Sequence, residues 1–429
     1  GRPSIFVSIP SYRDPECQYT IVDLFRKAKH PERVFVGICW QVDQEEDKRC
    51  FLLDLSEYAD RVRTTFLHHS KARGPCYARA LVQQELFRGE DYYLQLDSHY
   101  RMVQGWDEEL LAQLGRCPSE RPILTSYPSS YTLPEDYEPG GPDRAQLHSG
   151  RHPIAVCARE FGAADGFLRI GGKVVSAESL GGVPACALFW AAGLAFSSSA
   201  VLREVPYDPG LQDLFFGEEP SMASRLWTSG WDFFVPTCVV GFHLWTRRHR
   251  PVFREHACPE QKQREATSQL KVRRMLGVEV VEVAIAAPSA VASPSSPSAS
   301  SAPAPATDAV AGADAAGGAS ASEGCGDAAE RYGLGTVRTL AEYEAFCGVS
   351  PSRRTISVRA RRGGLPPTAF VDGDPAAAAA STPASSSTAL PSGAADFGMP
   401  ILGAMPAHIA AAIQALAGAS GSGGGGGGG

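Results

Sequence analysis

The sequence predicts an α/β fold in which a mixed sheet is flanked by helices. Three observations predict it. Short apolar runs of strand length at 5–9 (IFVSI), 34–40 (VFVGICW) and 92–96 (YYLQL) alternate with segments of helical periodicity. The runs are apolar throughout rather than alternating, which points to strands covered on both faces. Each run is followed at once by polar residues, and in such sheets ligands gather beyond the carboxyl ends of the strands.

The elements follow in order. The first run ends at Pro10, and Asp14-Pro15 reads as the N-cap and first position of a helix. Cys17, Ile21, Leu24, Phe25 and Ala28 recur at helical spacing until Pro31 closes the segment. Residues 60–67 read as a third strand, and Gly74-Pro75 opens a helix reaching about Phe87. A helix over 106–114 and a strand over 123–127 come after the 92–96 strand. The 128–166 stretch is polar and rich in Pro and Gly, too long for a simple connector, so it is expected to be a substrate-binding insertion or mobile. Strands are expected over 167–175, 187–197 and 233–242, with a helix over 218–229.

The 429 residues are 44% hydrophobic, enough for a sizeable core, but the distribution is uneven. From about Ala286 the chain is dominated by Ala, Ser, Pro and Gly, which bury too little to offset the entropy of ordering. The expected organisation is a folded domain over 1–284, a low-complexity insertion over 285–328, a helix over 329–350 and an Ala/Ser/Gly-rich tail over 351–429. Leu340, Tyr343, Phe346 and Cys347 give that helix an apolar side with which to dock on the domain. The formal net charge of -7 argues against a nucleic-acid partner. No apolar run approaches the ~18 residues of a membrane span. Eleven cysteines without CxxC spacing favour free thiols in a reducing compartment, with a disulfide-bearing secreted protein as the alternative.

The sharpest chemical signal is Asp97-Ser98-His99, where a strand end delivers a carboxylate and an imidazole two residues apart. That donor pair suits Mn2+ or a similar divalent ion. Glu218 and Glu219 follow Gly217 at a helix start, where a carboxylate is either a plain dipole partner or an active-site group. Arg13, Arg73 and Arg79 offer forked donors for phosphate or a base carbonyl. Ser11, Tyr12, Gln41 and Asp43 follow the first two strands, at the carboxyl ends where such a sheet binds its ligand. Gly193 permits close backbone approach to a ligand. Trp190, Trp227, Trp231 and Trp245 serve either packing or sugar stacking. No HExxH pair is present, which sets a zinc hydrolase aside.

Several segments occur together in one order: SIPSYRD, ARGPCYAR, DSHYRMVQGWDEELL, AAGLAFSS, YDPGL, FGEEPSMASRLWTSGWD, PTCVVGFHLW and RYGLGTVRTLAEYEAF. With these the sequence resembles the polypeptide N-acetylgalactosaminyltransferases and, more closely, the cytoplasmic hydroxyproline N-acetylglucosaminyltransferases that modify the Skp-type adaptor of ubiquitin ligases. The resemblance implies a GT-A glycosyltransferase with a Rossmann-like sheet. It implies a retaining transfer from a UDP-sugar, UDP-GlcNAc in the closer group, to a protein hydroxyl. It also implies that Asp97, His99 and His243 hold the metal and that Glu219 is the active-site glutamate, with Glu218 a second candidate. Phe242 stands between Gly241 and His243, an insertion relative to the N-acetylgalactosaminyltransferase pattern. The closer group implies a cytoplasmic enzyme. A mucin-type transferase of the secretory pathway, acting on Ser or Thr with an anchor preceding this chain, is the alternative, and a non-catalytic sugar-nucleotide-binding homologue is another.

Overall fold

The computed structural model describes residues 3–148, 150–253, 258–278 and 331–371. The expected 285–328 insertion lies outside the described residues, as does the tail from 372 onward.

The strands are β1 (Ile5–Tyr12), β2 (Val34–Gln41), β3 (Val62–Leu67), β4 (Tyr92–Leu96), β5 (Tyr100–Met102), β6 (Pro122–Thr125), β7 (Ser129–Thr132), β8 (Gln146–Leu147), β9 (Ile154–Phe161), β10 (Leu168–Val174), β11 (Ala185–Ala187), β12 (Leu194–Ser198), β13 (Asp232–Val235) and β14 (Gly241–His243). The main sheet has eight of them, in the order β11-β13-β6-β12-β4-β1-β2-β3. β4, β1, β2 and β3 run parallel, and β12 is antiparallel to both β4 and β6. This is the mixed α/β sheet the sequence predicts. A second sheet has the order β5-β14-β7-β8, and β9 pairs with β10.

Strand periodicity sorts the core into two layers. Ile5, Val7 and Ile9 of β1, with Val36 and Ile38 of β2, face one side. There they meet α1 (Cys17–Lys27) and, beyond α2 (Gly74–Glu85) in the chain, α3 (Trp106–Leu114). Phe6, Cys39 and Tyr93 point to the other side. That face is covered by α2, by residues of the short α4 (Ala200–Glu204), and by α5 (Glu218–Thr228), α6 (Pro259–Met275) and α7 (Leu340–Cys347).

Four expectations change. The helix after Asp14 begins at Cys17 with Glu16 at its N-cap. Asp14 still receives the Glu16 N–H, at 3.0 Å, but its second oxygen is used elsewhere. The expected 187–197 strand is two strands, β11 and β12, separated by the Trp190–Gly193 corner. The expected 233–242 strand is also two, because Pro236 cannot donate to a ladder and β14 leaves for the second sheet. The 128–166 stretch is paired in part, as β7, β8 and β9, with loops between them.

Residues beyond 350 also correct the expected tail. β15 (Val349–Ser350) pairs with β16 (Thr355–Ile356), and Phe370 bridges to Val175. Phe370 and Leu365 pack against the core, so this stretch buries apolar surface that its Ala, Ser and Gly content did not advertise. α7 is started by a capping box in which Thr339 and Glu342 exchange hydrogen bonds. Its Tyr343 is buried, packs on Trp227 at 5.4 Å and donates to the Leu188 carbonyl at 3.1 Å. Tyr343→Ala is expected to cost about 3 kcal/mol through lost packing. Denaturant titration would measure it, and limited proteolysis should then cut between α7 and residue 371. An unchanged digestion pattern would show that the segment is held by other contacts.

Candidate functional site

The site is set by strand register. Because β12 is antiparallel to β4, Leu194 stands opposite Leu96, and Gly193 therefore lies beside Asp97. A Cβ at Gly193 would come within 3.1 Å of Asp97 Oδ2, so the glycine keeps space open at that oxygen. In the second sheet His243 pairs with Tyr100, which carries His243 to His99. Leu244 N–H donates to the His99 carbonyl at 3.2 Å. The His99 and His243 rings lie 4.5 Å apart, and His243 Nε2 is 3.3 Å from Asp97 Oδ2. Trp245 packs on His243 at 4.3 Å between ring centres, and His243 Nδ1 is buried without a hydrogen-bond partner.

Asp97, His99 and His243, drawn from two stretches of chain, thus form one corner. One carboxylate and two imidazoles, with a glycine leaving room at the carboxylate, fit a divalent cation of the Mn2+ or Zn2+ kind. Burial and the neighbouring His243 push the His99 imidazole down to about 3, which favours the neutral ring with a free lone pair. Burial would raise the Asp97 carboxyl, but the His243 contact and the Arg79 charge outweigh it and hold it well below the usual carboxylate range.

Arg79 and Glu218 correct two expectations. Arg79 is buried and does not face outward to a nucleotide. It donates to Asp97 Oδ1 at 2.7 Å and to the Leu96 carbonyl at 3.2 Å, and its Nε lies 3.2 Å from Glu218. Glu218 is buried as well and accepts from Tyr207 at 2.7 Å. Both side chains are drawn inward because the Arg79 guanidinium neutralises the Glu218 and Asp97 carboxylates together. Through these contacts Arg79 ties the Asp97 carboxylate to Glu218.

Glu219 is the half-buried member of the pair. Gly217, with φ +116°, makes a turn into α5 that a side chain would resist, and so delivers the two glutamates in sequence. Glu219 accepts the Ala192 N–H at 3.2 Å, one residue from Gly193. Burial, opposed by that bond and reinforced by the charges of Glu218 and Asp97, pushes its carboxyl up to about 8. Glu219 and Trp190 line an apolar cleft whose other walls include Phe189, Leu276 and Tyr343.

The nucleotide candidates gather at the tips of β1 to β3. Gln41 donates to the Ser11 carbonyl at 3.4 Å, and the Ser11 hydroxyl is buried without a partner. Tyr12 meets Phe253 edge-on at 6.3 Å. Arg13, at φ +48°, is bound to Asp47 and Glu46, and Asp43 accepts from the Glu45 and Glu46 N–H groups and contacts His68 at 3.0 Å. Arg13 and Asp43 therefore hold the loop after β2. Arg73 donates to its neighbour's carbonyl at the mouth of α2. Among the tryptophans, Trp231 is core and Trp227 stacks on α7, whereas Trp190 and Trp245 border the site.

Comparison with known proteins places this geometry. The model of the family described as "Glycosyltransferase (GlcNAc)" matches residues 4–58 and 52–353. The chain belongs to this glycosyltransferase family. No curated protein sequence matches it. Solved structures similar to it include GalNAc-T7 with UDP, GalNAc and Mn2+, at 15% identity and TM-score 0.44, covering 64% of this chain and 48% of that one. TarS 1–349 of S. aureus in complex with UDP-GlcNAc is similar at 12% identity and TM-score 0.38, covering 65% and 68%. The mannosyltransferase PcManGT of Pyrobaculum calidifontis, with GDP-Man and Mn2+, is similar at 9% and 0.34, covering 64% and 70%. The chain thus spans about half the length of the GalNAc-T7 chain it matches.

Three residues of this glycosyltransferase escaped the sequence reading. Asp14 looked like a helix cap. Tyr207 sat in a turn motif with no sign that its hydroxyl reaches Glu218. His249 follows a basic run, yet its Nε2 is 3.2 Å from Asp14 and its ring 5.6 Å from that of His99. Among the described residues, Asp14, His99 and His249 bring ligand atoms within 4.8 Å of one another, as do Asp43, His68 and His69. A signal for His249 existed: it lies six residues after His243, on the chain leaving the same strand.

Proposed function

We propose that this glycosyltransferase is a GT-A enzyme that moves N-acetylglucosamine from UDP-GlcNAc to a protein hydroxyl with retention of configuration. The observation that carries the reading is the convergence of Asp97, His99 and His243 beside Gly193, with Glu219 one residue away across β12. Asp97, His99 and His243 would hold Mn2+, which when bound neutralises charge on the leaving diphosphate. Ser11, Tyr12 and Gln41 at the strand tips are suited to the uridine, with Arg13 and Asp43 shaping their loop. Arg73 lies where a diphosphate would pass. Gly193 lets the donor sugar approach the backbone closely. Glu219 would orient the acceptor hydroxyl or a sugar hydroxyl, and its raised carboxyl suits it to donate a hydrogen bond near neutral pH.

The acceptor reading is hydroxyproline on a Skp-like ubiquitin-ligase adaptor. Apolar walls beside the Glu219 carboxyl favour a hydroxyl carried on a compact apolar body. A cytoplasmic setting is supported by free, buried thiols such as Cys17, Cys39, Cys76 and Cys347. Among the described residues no helix is long and apolar enough to cross a membrane.

Intact-mass analysis tests the reading directly. The protein is incubated with Mn2+, UDP-GlcNAc and adaptor peptide in hydroxylated and unhydroxylated forms. One added N-acetylhexosamine on the hydroxylated peptide alone is expected. Neither transfer nor donor hydrolysis with any of a panel of UDP-sugars would overturn it.

A further inference from the structure

Asp14 has no exposed surface, yet it lies among donors from three parts of the chain. Its Oδ2 accepts from Ser98 Oγ at 2.6 Å and from His99 Nδ1 at 2.7 Å. Its Oδ1 accepts the Glu16 N–H at 3.0 Å and lies 3.2 Å from His249 Nε2. Arg250 Nε is 3.3 Å from Oδ2. A neutral imidazole carries one proton on its two nitrogens, and a carboxylate can only accept. His99 must therefore present Nδ1–H to Asp14, which leaves the lone pair on Nε2.

We infer that Asp14 is a positioning residue that fixes the His99 tautomer and ring plane so that Nε2 is the nitrogen offered to the cation. The inference rests on the reading of Asp97, His99 and His243 as the ligand set. A carboxylate–histidine–metal relay of this kind fixes the ring and raises its basicity. Asp14 could instead be a ligand itself, with His99 Nδ1 and His249. The contacts argue against that arrangement. Both Asp14 oxygens already accept hydrogen bonds, and a cation there would displace Ser98 Oγ and the Glu16 N–H. Asp97, by contrast, is a third exposed, and Gly193 leaves space at its Oδ2. Ser98 completes the arrangement: its hydroxyl donates to the same Asp14 oxygen and lies 3.2 Å from His99 Nδ1, so the backbone turn and the ring share one anchor.

The test begins with the metal-free wild-type protein, labelled with 15N in its imidazoles and assigned with His99→Gln. The expected spectrum shows His99 protonated at Nδ1 and unprotonated at Nε2. The opposite tautomer overturns the inference, and this measurement needs no variant of Asp14 to fold. In Asp14→Asn the new amide can donate to Nδ1, so His99 is expected to switch to Nε2–H. Mn2+ affinity, read by electron paramagnetic resonance of the free ion, should then fall about 10- to 100-fold, and Asp14→Glu should recover part of it. His249→Ala should leave that affinity within about twofold, since the larger losses fall on ligands and the groups that orient them. If Asp14→Asn and His249→Ala abolish Mn2+ binding while Asp97→Asn and His243→Ala do not, Asp14 is a ligand and the inference is wrong. If wild-type protein binds no Mn2+ at all, the ligand-set reading itself falls, a result distinct from a wrong tautomer.

Discussion

Asp97→Asn is expected to lower kcat/KM by about 10³-fold or more, because a metal site supplies several kcal/mol of transition-state stabilisation. The substitution keeps the shape of the side chain and removes one formal charge. It acts at two places at once. The oxygen facing His243 loses its charge, so a divalent cation is held more weakly. Arg79, which is buried against Asp97 Oδ1, keeps only Glu218 as a carboxylate partner. Arg79 still donates to the Leu96 carbonyl, so the fold is expected to survive with a modest fall in Tm. Initial rates measured across a Mn2+ titration separate the two effects. A rate restored to the wild-type level at saturating Mn2+ would show that Asp97 contributes affinity alone. An unchanged rate at every concentration would remove Asp97 from the site.

The corner around Asp97 was partly legible in the sequence. A strand followed by Asp-Ser-His is a local pattern, and the apolar 92–96 run was enough to place it at a strand end. The position of His243 was legible through resemblance but not through periodicity, since a histidine in a three-residue strand carries no local signal. What brings it to His99 is the pairing of β14 with β5, a contact across about 140 residues that only the folded sheet specifies. Arg79 and Glu218 were legible as charged residues near the site, but not as one buried network. Sequence position gives the side-chain type and the helix face. It does not say which of two adjacent glutamates turns inward. That choice is made by Tyr207 and Arg79, which pair with Glu218 and leave Glu219 nearer the Gly193 corner. The stretch to Val371 was missed for another reason. Its few apolar residues, Leu365 and Phe370 among them, are widely spaced, and they dock singly on an existing core instead of building a periodic face.

Glu219→Gln separates chemistry from charge. Its carboxyl is raised from 4.5 to about 8, first by burial and then by the charges of Glu218 and Asp97. The folded state therefore holds this proton more tightly than the unfolded chain does. A raised carboxyl contributes stability that is full below its ordinary value and is lost as pH rises through the folded value. The window runs from about 4.5 to about 8. Glutamine mimics the neutral form at every pH, so the variant lacks this loss. Its Tm should match that of wild type at the acid end and exceed it increasingly toward pH 8, then level off. Calorimetric scans over that range check the sign, and a Tm difference independent of pH would show that Glu219 titrates alike in both states. Activity moves the other way. A residue that orients or exchanges a proton with a reacting hydroxyl is worth about 10²-fold or more in kcat. Glu219→Gln should therefore lower kcat by that order while Mn2+ affinity stays near wild type, since Asp97, His99 and His243 are untouched. Greater stability at alkaline pH together with lower turnover would mark Glu219 as a group kept in an unfavourable setting for the sake of the reaction. A loss of both would instead assign it to holding the Ala192 corner through its 3.2 Å hydrogen bond.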